Sequence, residues 1–65
     1  MDVDFVKTSI KSYKKRLEGR KDAAIAAIKD GSYWVAEIAL GECIGFEATI
    51  AELEFQLEVM EVNDD

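Results

Sequence analysis

The sequence predicts an all-α fold, an antiparallel hairpin of two long helices that dimerises into a four-helix bundle, and three observations point to it. The 65 residues contain no proline and are rich in alanine, glutamate, lysine, leucine and isoleucine, which favour helix. In both halves of the chain apolar residues recur at alternating steps of three and four, the spacing of a heptad seam. Between the halves lies a turn signal, Asp30-Gly31-Ser32.

The first helix is expected over about residues 2–30. Asp2 or Asp4 can cap it while placing negative charge at the positive end of the macrodipole. Its seam reads Val3, Val6, Ile10, Tyr13, Leu17, Arg20, Ala24 and Ala27. Arg20 alone departs from the apolar pattern, and its long stem can cover the seam while the guanidinium reaches water. Gly19 costs about 1 kcal/mol inside a helix, which points to a close packing contact or a soft spot. In the turn, over residues 30–32, glycine suits the left-handed position after a helix and Ser32 suits the cap of the next. A loop this short makes the two helices antiparallel neighbours.

The second helix is expected over about residues 33–62, with residues 63–65 as a frayed acidic tail, and the whole chain as one domain. Cys43, Phe46, Ile50, Leu53, Leu57 and Met60 form its seam. Antiparallel pairing then brings Val3 level with Met60, Val6 with Leu57, Ile10 with Leu53, Tyr13 with Ile50 and Leu17 with Phe46, each pair of numbers summing to 63. Near the turn Ala24 faces Ala39 and Ala27 faces Ala36, so the helices should approach most closely there. The hairpin core is therefore expected to comprise Val6, Ile10, Tyr13, Leu17, Phe46, Ile50, Leu53, Leu57 and Met60.

Charge supports the same pairing. Residues 1–30 hold all eight basic and five acidic residues, a local charge of +3, whereas residues 31–65 hold nine acidic residues and no basic one, −9. Lys7, Lys14 and Lys21 flank the first seam at one heptad position, and Glu47, Glu54 and Glu61 flank the second at the same position. In an antiparallel pair those flanks lie side by side. Exposed ion pairs contribute only about 0.2 to 1 kcal/mol each, so they set orientation and register more than bulk stability.

The second helix carries another apolar file, Ile44, Ala48, Ala51, Phe55, Val59 and Val62, with Gly41 and Gly45 on the same broad side. On the flank of the first helix, Phe5, Ser9, Ser12, Gly19, Ala23 and Ala26 form a run of mostly small side chains. An apolar strip of that length calls for a partner. A chain of this size buries little on its own, and self-association, most simply as a homodimer, is the expected remedy. A groove for a different protein is the competing reading of the same face.

Chemistry-bearing motifs are sparse. The chain has no histidine and one cysteine, so no intramolecular disulfide forms, and Cys43 reads as a small core residue. Glu37, Glu42, Glu47 and Glu52 recur every five residues, which scatters them around a helix and keeps them from converging on a metal. No cofactor, metal or catalytic site is expected, and nothing offers a base for nucleophilic catalysis. Lys7, Lys11, Lys14, Lys15, Arg16, Arg20 and Lys21 form a basic concentration that a nucleic acid would favour, but the net charge of −6 makes nucleic-acid binding the disfavoured reading. Glu47, Glu54, Glu58, Glu61, Asp64 and Asp65 form an acidic strip too sparse for a convincing mimic of a phosphate backbone. Trp34, beside Tyr33 at the turn, reads first as a lid on the bundle end and second as a partner anchor.

No signal peptide or membrane-spanning run is read in the sequence, so a cytoplasmic protein is expected, in the host cell cytoplasm if the source is viral. The resulting expectation is a small non-enzymatic protein that self-associates and binds and regulates, including by inhibition, another protein. Partner contacts are expected at Lys11, Lys15, Arg16, Tyr33 and Trp34. The alternative faces nucleic acid, by direct RNA or DNA binding through the first helix or by mimicry through the second.

Overall fold

A computed structural model of the chain describes residues 2–62. Two helices, α1 (Val3–Lys29) and α2 (Tyr33–Val62), pack against each other as a hairpin with Cα extents of 52 × 14 × 13 Å. The expected tail at residues 63–65 lies outside the described residues.

The ends of α1 follow from local chemistry. Asp2 is extended and its carboxylate accepts a hydrogen bond from the Asp4 backbone N–H at 3.3 Å, so Asp2 is the cap and Asp4 supplies first-turn negative charge. At the other end Gly31 has φ +77°, the left-handed conformation. The Ser32 N–H donates to the Ala27 carbonyl at 2.8 Å and the Gly31 N–H to the Ile28 carbonyl at 3.1 Å, the paired bonds of a Schellman turn. Ser32 caps α2 differently from the expectation. Its carbonyl accepts the first helical bond, from the Ala36 N–H at 3.0 Å, but its hydroxyl donates to the Asp30 carboxylate at 3.4 Å. The rotamer that points the hydroxyl at Asp30, a charged acceptor two residues back, is the one adopted.

Burial follows the three-four alternation on both helices. Val6, Ile10, Ala24 and Ala27 of α1 are buried against Ala36, Ala39, Cys43 and Ile50 of α2. Tyr13, Leu17, Leu53, Leu57 and Met60 are half-buried around Val6, Ile10 and Ile50. With only two helices, a large seam residue has one neighbouring element, which is why most stay half open while the alanines near the turn close completely. Phe46 is half-buried and meets Tyr13 at a ring-centroid distance of 5.9 Å, so Tyr13 leans one step towards the turn from its level partner, Ile50.

Arg20 lies exposed, its guanidinium open to solvent and 3.4 Å from Glu42 across the hairpin, an ion-pair partner that the seam pattern did not name. Gly19 makes no close contact: a Cβ there would meet nothing within 4 Å, because the residue stands exposed on the side of α1 turned away from α2.

Candidate interaction surface

The surface around the seam divides into faces of different chemistry. On one flank Lys14 pairs with Glu54 at 3.5 Å and Lys7 with Glu61 at 3.9 Å, both across the hairpin. Lys21 does not continue this row to Glu47; it lies 4.0 Å from Glu18 on its own helix. The energies of exposed pairs are small, so an i,i+3 partner on the same helix competes on equal terms with one across the hairpin. The outer side of α1 is charged, and Lys11 and Lys15 enter none of the ion pairs among the described residues. Arg16 lies over the Tyr13 ring, 5.4 Å from its centroid, with its stem on the hairpin and its charge at the surface.

The outer side of α2 is apolar and open. Ile44 is 70 % exposed, Phe55 62 % and Val62 69 %, while Val59 is exposed to a lesser degree. Ala48 and Ala51 are exposed beside them, and a Cβ at Gly41 or Gly45 would meet nothing within 4 Å. The close helix approach that Gly41 and Gly45 permit is therefore not used within the hairpin. Thr49 satisfies its own hydroxyl by donating to the Gly45 carbonyl at 3.0 Å.

The strip runs further than the file read from the sequence. Trp34, at 71 % exposure, projects into solvent and does not lid the hairpin end, and Ile38 is exposed on the same side. Trp34, Ile38, Gly41, Gly45, Ala48, Glu52, Phe55, Val59 and Val62 alternate by four and three along nearly all of α2. This is a second heptad seam on the side opposite the first. At 100° per residue Ile44 and Ala51 lie nearer Phe55 than Trp34 and Ile38 do, so the longer alternation, which crosses one glutamate, emerges only at the heptad period. That glutamate is drawn aside: the Gln56 amide donates to the Glu52 carboxylate at 3.3 Å.

Around the turn, Ile25, Ile28, Tyr33, Val35 and Leu40 are also exposed. Of this collar only Tyr33 was read from the sequence; the others escape it because the alanines occupying the seam there leave every large apolar side chain outside it. Among the described residues no group of three or more His, Cys, Asp or Glu side chains is placed to hold a metal ion, and no helix is long and apolar enough to cross a membrane. No protein-family model matches the chain, and neither the curated proteins nor the solved structures give a match to it.

Proposed function

We propose that this is a small non-enzymatic interaction protein that self-associates through the outer face of α2 into a four-helix assembly and binds and regulates another protein. The observation that carries this reading is the apolar strip on α2, with Trp34, Ile44, Phe55 and Val62 each more than half exposed. Contiguous apolar surface of that length marks a contact surface in a water-soluble fold. Once it is covered by a second copy, the surface left for a regulated protein is the outer side of α1, with Lys11, Lys15 and Arg16, and Tyr33 at the turn. Tyr33 is 70 % exposed and amphipathic, a side chain suited to anchoring in a partner.

Two variants separate the roles. Phe55→Glu should abolish self-association in sedimentation. Lys11→Glu combined with Lys15→Glu should leave self-association intact and lose the partner in pull-downs from the native source. A Lys11/Lys15 variant that captures the same proteins as wild type would remove α1 from the partner surface.

A second reading is supported by Lys11 and Lys15, which enter no ion pair among the described residues, beside Arg16: α1 holds the phosphates of RNA or DNA. Binding would then fall steeply with salt, with a slope set by the number of phosphates contacted. Mimicry through α2 would instead show as capture of a nuclease or polymerase.

A further inference from the structure

The second seam on α2 is complementary to itself. We infer that the occupant of this face is the α2 helix of a second copy, antiparallel about a twofold axis, in the register where facing position numbers sum to 93. This rests on the self-association proposed above and specifies its geometry.

The hairpin supplies the rule for reading such a register. The seam pairs read from the sequence sum to 63, and the two ion pairs on the neighbouring flank, Lys7 with Glu61 and Lys14 with Glu54, sum to 68. A flank therefore sits five above the seam on one side and five below it on the other. On the outer face of α2 a seam sum of 93 places Trp34 level with the second copy's Val59, Ile38 with its Phe55, Gly41 with its Glu52 and Gly45 with its Ala48. Large side chains meet large ones at both ends, and small ones meet at the centre, where Gly41 and Gly45 allow close approach of the backbones. Glu52, already drawn to the flank by Gln56, comes level with a glycine and has room to reach water.

The flanks agree. Five below the seam, Ile44 meets its own copy across the axis and Glu37 meets Ala51; five above, Thr49 meets itself and Glu42 meets Gln56. No glutamate of these flanks faces another glutamate. Like charges approach at two places: Glu58 towards the second copy's Asp30 at the exposed rim, and Glu52 towards the second copy's Glu42, with the Gln56 amide between them.

Neighbouring registers are worse. A seam sum of 100 sets Glu37 against Glu58 and Phe55 against Gly45, and a sum of 86 sets Trp34 against Glu52 and leaves Phe55, Val59 and Val62 uncovered. A parallel dimer stacks Glu52 on Glu52 within an apolar seam. The favoured axis also falls near the midpoint of α2, so the overlap covers almost the whole helix. Because the second seam lies opposite the first, the four helices form a row with the α1 helices outermost.

Net charge gives this occupant a signature. Each copy carries −6, and α2 has no basic residue, so a contact between copies works against long-range repulsion. A basic partner helix on the same face would be attracted. Raising ionic strength from about 0.1 M to about 1 M shortens the screening length from about 10 Å to about 3 Å, and should tighten the dimer by about threefold or more.

The test combines sedimentation of the unmodified chain at both salts with spin-label distances in a Cys43→Ala background, labelled at Glu58→Cys or at Glu47→Cys. Antiparallel pairing offsets the two Glu58 labels along the helix by about 35 Å and the two Glu47 labels by about 2 Å, at 1.5 Å per residue. A dimer that tightens with salt and shows the longer distance at Glu58 is expected. A dimer with equal distances at both sites, or one that loosens with salt, would overturn the register and its occupant while leaving self-association standing. A monomer throughout the accessible concentration range would overturn self-association too.

Discussion

Gly31 and Gly19 show how differently one residue type can act in this chain. Gly31 adopts φ +77° and carries the Schellman turn. A side chain in that conformation costs about 1 to 2 kcal/mol, so Gly31→Ala should lower the urea midpoint. Gly19 sits in regular helix with open space around it, and Gly19→Ala should raise the midpoint by the equivalent of about 0.5 to 1 kcal/mol. The opposite order of the two would mean that the turn is not where the glycine is needed. In the seam, Ile50 is 6 % exposed whereas Leu53 is only half-buried. Truncating a buried isoleucine or leucine to alanine costs about 2 to 5 kcal/mol, and Ile50→Ala should lie higher in that range than Leu53→Ala. Melting within a degree or two of wild type for Ile50→Ala would contradict the core described here.

At the scale of the helices, register is held by the seam and trimmed by ion pairs. Glu54→Lys should destabilise the hairpin slightly, and adding Lys14→Glu should restore part of the loss at low salt and less at high salt. The same cycle at Lys21 and Glu47 should show no coupling, since Lys21 lies near Glu18 instead. A coupling at Lys21 and Glu47 equal to that at Lys14 and Glu54 would show the ion-pair row to be continuous. Both helices, their antiparallel pairing and the buried seam could be read from spacing and the turn signal, because a hairpin with a three-residue turn has one register that sets the two seams face to face. What spacing could not supply was the choice among near-equal polar partners: Ser32 with Asp30, Lys21 with Glu18, Arg20 with Glu42. Those depend on side-chain rotamers whose energies differ by less than about 1 kcal/mol. The outer strip was only partly legible, since Trp34 and Ile38 join it through an alternation that passes over Glu52.

For the whole molecule the governing fact is how little a two-helix hairpin encloses. Its buried core consists of Val6, Ile10, Ile50, Cys43 and four alanines, and chains this small are marginal without a second source of burial. The second copy proposed for the outer face of α2 would supply that burial. Stability should then depend on concentration, with the melting temperature rising as the chain is concentrated, as mass action requires of a folded dimer. A melting temperature independent of concentration, together with a dimeric mass at every concentration tested, would separate folding from assembly. The central claim is that the apolar back of α2 is where copies meet, and sedimentation equilibrium of Phe55→Glu tests it most directly. Phe55 is 62 % exposed in the hairpin, so the substitution asks little of the hairpin itself, yet it sets two carboxylates into the proposed seam between copies. The account predicts a dimeric mass for wild type and a monomeric or unfolded chain for the variant; a Phe55→Glu protein that remains a folded dimer would contradict it.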